Sequence, residues 1–156
     1  MKAIVTGSFD PITNGHIEII KYAAKKYDTV YVVALVNEAK SYMFTMEQKK
    51  ALIALAVKEF DNVIADAYSG MTADYMHQNG ITMIVRGVRN DSDVEYENSL
   101  ADAMKGFDSQ FDTELIRCGE EFSMISSTLV REKILASESL DGLVPKNVSD
   151  MIKKWK

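Results

Sequence analysis

The chain has 156 residues and a mass of 17.5 kDa, which is the length of one typical domain and enough to bury a core. Apolar residues make up 47% and charged residues 26%, so the composition excludes a predominantly disordered chain. The formal net charge of −5 argues against general nucleic-acid binding, because that binding depends on neutralising phosphates.

The cysteine content and the N-terminal residues indicate the cellular compartment of the protein. Cys118 is the only cysteine and cannot form an internal disulfide, which is typical of a reducing cytosol. The segment 1–8 becomes polar too early for a signal peptide, and no apolar run approaches the ~20 residues that span a bilayer. We therefore expect a cytoplasmic protein with no membrane or nucleic-acid partner, folded as a single domain over residues 1–156.

The first half of the chain alternates strand and helix signals. In chain order, these are a strand at Lys2–Thr6, a helix carrying Ile17, Ile20, Ala24 and Tyr27, a strand at Thr29–Val36, a helix opened by the capping box Thr45–Gln48, a strand at Asn62–Ala65 and a helix at Met71–Gln78. Thr29–Val36 is almost continuously apolar and β-branched, which indicates a parallel strand covered on both faces.

The second half continues the alternation. It contains a strand at Ile81–Val85, a helix opened by the capping box Ser92–Glu95 and running to about Lys105, a strand at Asp112–Arg117, a helix capped by Ser126 or Ser127 and running to about Ala136, and a helix capped by Asn147 and reaching Trp155. The whole order predicts a Rossmann-like α/β fold, a doubly wound five-stranded parallel sheet with helices on both faces. Ligands of such sheets bind beyond the carboxyl ends of the strands.

The loop after the first strand carries the strongest chemical signal. Gly7 permits close backbone approach, and Ser8 supplies a hydroxyl. Gly15 and His16 stand near the start of a helix, where free N–H groups and the helix dipole favour an anion. The plainer interpretation is a tight turn followed by a surface histidine.

Four segments together resemble one enzyme family. Thr13-Asn14-Gly15-His16 resembles the T/HxGH signature of small nucleotidylyltransferases. The segments 85–89 (VRGVR), 93–97 (DVEYE) and 125–132 (ISSTLVRE) resemble further motifs whose order and spacing are similar to those of phosphopantetheine adenylyltransferases. The resemblance runs from about Ala3 to Val148 and implies adenylyl transfer from ATP to 4′-phosphopantetheine, with Mg²⁺ arriving with ATP.

The resemblance also implies roles for individual residues. His16 matches the histidine that stabilises developing charge, and the acceptor-binding positions match Ser8, Lys40, Thr72 and Arg86. The positions matching the ATP site are Ser8, Phe9, His16, Gly87, Val88, Arg89, Glu97, Phe122, Ser123, Met124, Ile125, Ser126, Ser127 and Thr128. The family forms hexamers, so we expect a homohexamer by resemblance alone.

The residues themselves leave alternatives open for several of these roles. Arg86 and Arg89 follow a buried predicted strand and offer two guanidinium forks for phosphate, but they could instead pair with Asp91 or Asp93. Glu97 needs a ligand or a structural arginine partner, because it falls on the inward face of its helix.

Two further signals for phosphate binding, one from a lysine and one from a group of hydroxyls, are weaker. Lys40 alone reads as a solvated lysine. Of the hydroxyls of Ser126, Ser127 and Thr128, one caps the helix and the others could hold phosphate.

The chain departs from the family pattern at a few positions, and rival functions follow the same fold. Ser8 stands where the family usually has Thr, and Ser41-Tyr42 follows Lys40 where Lys-Pro is frequent, which questions the rigidity of that loop. The alternatives are an adenylyl- or cytidylyltransferase for another phosphorylated acceptor, and a non-catalytic nucleotide or coenzyme A sensor. Two histidines and one cysteine predict no metal site made by the protein alone.

Overall fold

The computed structural model describes all residues, 1–156. Its five strands are β1 (Lys2–Gly7), β2 (Thr29–Leu35), β3 (Val63–Tyr68), β4 (Met83–Val88) and β5 (Asp112–Arg117). Its seven helices are α1 (Asn14–Lys26), α2 (Met46–Ala56), α3 (Thr72–Asn79), α4 (Asp91–Phe107), α5 (Glu120–Ser123), α6 (Ser127–Leu135) and α7 (Lys146–Trp155). No helix is both long enough and apolar enough to cross a membrane.

The strands form one parallel sheet in the order β3-β2-β1-β4-β5. The chain builds outward from β1 through β2 to β3, and then crosses back to place β4 on the other side of β1. This reversal creates a crevice at the carboxyl ends of β1 and β4, which is where ligands bind in doubly wound sheets. The predicted fold class is confirmed.

Both faces of the sheet are covered, as the apolar composition of β2 predicts. Side chains alternate along each strand, so Ala3 and Val5 enter a larger core with α1, α2, α6 and α7. Ile4 enters a smaller core on the opposite face, formed chiefly by α3 and residues around it. The central strand β1 is therefore buried on both sides at residues 3–5, while Lys2 at its start is exposed and residues 6 and 7 at its carboxyl end are half-buried.

Helix starts were predicted with mixed success. Thr45 and Gln48 form the expected capping box, and Ser126 caps α6 by accepting the N–H of Leu129. The predicted capping box at Ser92 is wrong. Asn90 caps α4 two residues earlier, because its side chain accepts the Asp93 N–H at 2.9 Å.

The last helix and the fourth strand also differ from prediction. Helix α7 begins after Pro145, so the predicted cap Asn147 lies inside the helix. The Asn147 side chain does not cap, because it donates to the Leu55 carbonyl at 2.8 Å. Strand β4 extends to Val88, so Arg86 lies within the strand and not after it. The short helix α5 was not predicted, since four residues carry no periodic signal.

Candidate active site

A cleft of about 200 Å³ opens at the carboxyl ends of β1 and β4. The predicted site residues that line it are His16, Arg86, Gly87, Arg89, Phe122 and Ile125. They come from α1, from β4 and the turn after it, and from the segment around α5, and the crossover topology brings these three parts of the chain to one place.

His16 is held in one tautomer by the start of its own helix. The Thr13 N–H donates to His16 Nδ1 at 3.0 Å, while the Thr13 hydroxyl accepts from the His16 backbone N–H, so the two residues form a reciprocal cap. Since a backbone N–H can only donate, Nδ1 is the unprotonated nitrogen, and the neutral ring carries its proton on Nε2.

The charge state of His16 follows from its surroundings. Burial, together with the positive charges of Arg89 and Arg86, lowers the pKa of His16 from 6.5 to about 4. The imidazole is therefore neutral near pH 7 and offers one Nε2–H donor. This donor needs no proton uptake before it can stabilise negative charge.

Phe9 supports His16 and does not line the cleft. Its side chain is only 2% exposed, and its ring meets the His16 ring edge-to-face with centroids 4.8 Å apart. Its backbone φ is +45°, a left-handed conformation that is strained for a bulky residue. The predicted ATP contact of Phe9 stays a prediction.

Arg86 is fixed by four hydrogen bonds. Its Nε and Nη2 each donate to one carboxylate oxygen of Glu97 at 3.0 Å, in a bidentate pair. Its Nη1 donates to the Thr6 carbonyl at 2.8 Å and to the Thr6 hydroxyl at 2.9 Å. One of the five guanidinium N–H donors is left for a ligand. The structure thus places Glu97 as the partner of Arg86, and its assigned ATP role stays a prediction.

Arg89 has greater freedom than Arg86. Its side chain is exposed, and its Nη2 donates only to the Ile125 carbonyl, at 3.2 Å. The acids considered as partners are engaged elsewhere, because Asp93 accepts the backbone N–H of Arg89 and Asp91 pairs with Arg117. The Arg89 guanidinium therefore lines the cleft without a salt bridge.

The predicted acceptor residues lie in two neighbouring cavities. Thr72, Arg86 and Glu97 line a largely apolar cavity of about 320 Å³, together with Thr6 and with apolar residues of α4 that include Leu100, Met104 and Phe107. Ser8 and Lys40 line a more open depression beyond β2. Both are exposed side chains without a hydrogen-bond partner. Lys40 does not line the cleft of His16, although it follows the adjacent strand.

The segment 122–128 reaches the cleft only in part. Phe122 and Ile125 line it, while Ser123 bonds to the Glu120 carbonyl and the Met124 side chain is 81% exposed. Val88, at the end of β4, is buried.

The three hydroxyls at the start of α6 are already engaged. Ser126 caps the helix, Ser127 donates to the Pro11 carbonyl at 2.8 Å, and Thr128 accepts from Arg131. The Ser127 hydroxyl thus donates within the protein, to the β1–α1 loop, and the ATP contacts expected of Ser126, Ser127 and Thr128 stay predictions. Ser126 and Thr128 act as acceptors and each keep an O–H donor.

The structure also brings unpredicted residues to the site. Thr6 lines both the cleft and the apolar cavity, and Asp93 and Cys118 line the cleft. Burial raises the pKa of the Cys118 thiol, so this cysteine is a poor nucleophile at neutral pH. Asp93 falls in the segment 93–97 that carries the resemblance, whereas Thr6 and Cys118 carried no signal for this site, since their place depends on the register of β1, β4 and β5.

Potential metal ligands are dispersed. No group of three or more His, Cys, Asp or Glu side chains converges on one point. His77, the second histidine, lies on the surface of α3 and meets Asp108 at 2.9 Å. The only carboxylate lining the cleft is Asp93, which accepts a backbone N–H.

Comparison with known proteins gives consistent matches over nearly the whole chain. The cytidylyltransferase-like family model matches residues 4–133. A phosphopantetheine adenylyltransferase from Clostridium novyi is 39% identical over 153 residues, covering 97% of this chain and 95% of that protein. A phosphopantetheine adenylyltransferase from Anaeromyxobacter dehalogenans is 39% identical over 152 residues, covering 97% and 93%.

Proposed function

The chain belongs to the phosphopantetheine adenylyltransferase family, within the cytidylyltransferase-like enzymes, and we propose on this basis that it transfers the adenylyl group of ATP to 4′-phosphopantetheine. The products are dephospho-coenzyme A and pyrophosphate, so the enzyme acts in coenzyme A synthesis.

The reaction is a single displacement at the α-phosphorus of ATP. An oxygen of the acceptor phosphate forms the new P–O bond, while the bond to the bridging oxygen of pyrophosphate breaks in line with it. The acceptor phosphate is already ionised near pH 7, so no general base and no covalent enzyme intermediate are required. The protein has to hold two polyanions together and stabilise charge on the α-phosphoryl oxygens.

One observation carries this mechanism: a neutral imidazole with its Nε2–H free shares a cleft with two guanidiniums at the reversal point of the sheet. His16 donates to the α-phosphoryl oxygens as their charge grows. Arg89 attracts the triphosphate with a positive charge that no salt bridge engages. Arg86, which is fixed by Glu97 and Thr6, presents its one remaining donor in a set direction.

The acceptor fits the space on the other side of Arg86. The apolar cavity lined by Thr72, Leu100 and Met104 suits a long arm with few charges, and Arg86 stands between that cavity and the cleft. A phosphate at the end of such an arm would meet Arg86 on entering the cleft. Ser8 and Lys40 line the depression beyond β2, which adjoins the apolar cavity at Leu35, and in this proposal they supply a hydroxyl and a positive charge to the acceptor.

Magnesium enters this scheme as part of the nucleotide substrate. Mg²⁺ prefers phosphate and water oxygens, and Asp93 is the sole carboxylate on the cleft wall. We propose that MgATP binds with its metal held by the phosphates. The bound ion would neutralise charge on the departing pyrophosphate.

The apolar cavity also favours phosphopantetheine over other acceptors. Nicotinamide mononucleotide and glycerol phosphate offer no apolar arm to fill about 320 Å³ lined mainly by α4. A non-catalytic sensor would have no use for a histidine held in one tautomer by Thr13.

The test is pyrophosphate release by the purified protein with MgATP and a panel of acceptors. 4′-Phosphopantetheine should give turnover with formation of dephospho-coenzyme A. Pantetheine, which lacks the attacking phosphate, should give none. Preferred turnover with nicotinamide mononucleotide or with CTP would overturn the proposal, and nucleotide binding without turnover would identify a sensor.

We further propose a homohexamer. Several large apolar side chains of α4 and its surroundings are exposed in the single chain, among them Tyr96, Leu100 and Phe107. Exposed apolar side chains of this kind are compatible with subunit contacts. A molar mass from light scattering near six times 17.5 kDa would support the hexamer, and a monomer mass would overturn it.

We also propose a cytoplasmic location. The chain's one cysteine is a free thiol, which fits a reducing compartment. Fractionation of the source cells, followed by detection of the protein in each fraction, would test this.

A further inference from the structure

The turn that carries Lys40 is tied to a buried lysine that has no hydrogen-bond acceptor. Lys49 lies in the first turns of α2, its side chain is fully buried, and no acceptor reaches its Nζ atom. Burying an ammonium without a partner is unfavourable, so the surrounding structure must compensate it in another way.

The Tyr42 ring provides that compensation. The Lys49 Nζ atom stands 3.4 Å from the centroid of the Tyr42 ring, on the ring face, where the π electrons attract a cation. Asp10 adds attraction at longer range, while Arg131 opposes it. The burial that strengthens a cation–π contact also limits the positions that the Tyr42 ring can take.

The hydroxyl end of Tyr42 holds the turn itself. Tyr42 Oη accepts the backbone N–H of Asn37 at 3.0 Å, and the Asn37 carbonyl accepts the backbone N–H of Lys40 at 2.9 Å. The Asn37 side chain closes the same turn by accepting the Ala39 N–H at 3.0 Å. A continuous series of contacts thus joins Lys49, Tyr42, Asn37 and Lys40.

We propose that Tyr42 is a positioning residue for the reaction, which orders the turn at residues 37–40 so that Lys40 is presented to the acceptor phosphate. This inference rests on the proposed function for the role of Lys40. The exposed Lys40 side chain keeps its freedom, while its backbone is held through Asn37 and Tyr42. Ordering the backbone beforehand lowers the entropy lost when the acceptor binds.

Three variants separate the two ends of Tyr42. Tyr42→Phe keeps the ring over Lys49 and loses the hydroxyl, whereas Tyr42→Leu loses both contacts. Ser41→Ala is the matched control, because Ser41 is the exposed neighbour in the same loop and has no role in the series.

Kinetic and binding measurements should separate an effect on acceptor binding from an effect on MgATP binding. We expect the KM for 4′-phosphopantetheine to rise about threefold in Tyr42→Phe, which loses one hydrogen bond. In Tyr42→Leu, which also loses the cation–π contact, we expect it to rise about tenfold. In both variants, as in Ser41→Ala, the Kd for MgATP measured without acceptor should stay within about twofold of wild type, since Tyr42 does not line the cleft. An unchanged acceptor KM in Tyr42→Leu, or an equal rise in the ATP Kd, would overturn the positioning role.

Hydrogen exchange tests the ordering of the turn without any substrate. The Asn37 amide should be protected in wild type and exchange much faster in Tyr42→Phe, because its acceptor is gone. The Val36 amide is an internal control, since it donates to the Tyr68 carbonyl and should keep its protection. Equal exchange of the Asn37 amide in both proteins would overturn the inference. Wild-type protein that releases no pyrophosphate would overturn the proposed function, and exchange alone would then decide whether Tyr42 orders the turn.

A double variant covers the case in which Tyr42→Leu fails to fold. Tyr42→Leu/Lys49→Met removes the buried charge together with the ring, so the uncompensated ammonium no longer opposes folding. This variant should fold and still show a raised acceptor KM. A wild-type acceptor KM in the double variant would overturn the proposal.

Discussion

The two sides of the candidate site differ in how much of their charge is already in use. In the cleft, His16 is locked by Thr13, and Arg86 has four of its five donors engaged. Beyond β2, the Ser8 and Lys40 side chains are exposed and make no hydrogen bond. Groups that act on charge formed during a reaction work best when fixed in advance, whereas groups that capture a diffusing substrate need only reach it. The contrast therefore assigns the chemistry to the cleft and the capture of the acceptor to the outer depression.

Removing His16 from the cleft, whose side chains are fixed in advance, should have the largest effect on turnover. His16→Ala should lower kcat by at least ~10²-fold, the scale for losing one donor to a transition state, with a smaller change in the Kd for MgATP. His77→Ala is the matched control, because His77 lies on the surface of α3, where it contacts Asp108 and Phe111 outside the site. Near-normal turnover of His16→Ala in a quenched-flow or steady-state assay would break the contrast.

Arg86→Lys tests whether direction matters as well as charge. Lysine keeps the positive charge but cannot make the bidentate pair with Glu97 and the two bonds to Thr6 at once. We expect the KM for 4′-phosphopantetheine to rise about tenfold, together with a lower Tm. An unchanged acceptor KM with a lowered Tm would show that Arg86 serves the fold alone.

Lys40→Met should weaken capture without touching stability. Lys40 is exposed and unpaired, so its loss should raise the acceptor KM about fivefold and leave the free energy of unfolding within about 0.5 kcal/mol of wild type. The acceptor effect should shrink as salt is added, since an exposed charge is screened. Lys21→Met, another exposed lysine outside the site, is the control. A large fall in the free energy of unfolding, measured in urea, would show that Lys40 is fixed by structural contacts like the residues of the cleft.

The pH response of His16 gives the subtlest test. Its folded pKa of about 4 lies below its ordinary value of 6.5, so the unfolded chain binds a proton between these values that the folded chain does not. The stabilisation from the neutral ring is therefore complete above pH 6.5 and is lost as pH falls towards 4. NMR titration of the ring should show a midpoint near 4, and the stability difference between wild type and His16→Ala should change over the same range. A midpoint near 6.5 would contradict the lowering of the His16 pKa by burial and by the two arginines.

The sequence predicts the fold because its signals are local and agree with one another. Alternating strands and helices, with an apolar β2 covered on both sides, leave few topologies. The same logic predicts that the loop after β1 and the end of β4 meet, which brings His16, Arg86 and Arg89 into one cleft. Helix starts are less certain, because Asn90 and Ser92 are equally good caps two residues apart and only packing chooses between them.

Long-range pairings are beyond the sequence patterns. The bond between Arg86 and Glu97 joins β4 to α4, and the bond of Ser127 to Pro11 joins residues 116 positions apart. The helical period of α4 indicates that Glu97 needs a ligand or an arginine partner but does not choose between them, and the pairing of Ser127 with Pro11 has no sequence signal, because each pairing depends on how the elements pack. Three of the four arginines, Arg86, Arg89 and Arg131, bond to the cleft walls or to the β1–α1 loop.

Arg86 and Thr6 form a partition between the cleft and the apolar cavity, since both residues face both spaces. A compound that joins a nucleoside to an aliphatic arm through a short anionic bridge would straddle this partition and place its bridge on a guanidinium that is already oriented. Such a compound would fill both the cleft and the apolar cavity while losing the translational and rotational entropy of one molecule only. Its anionic bridge would bind at the partition between the two spaces.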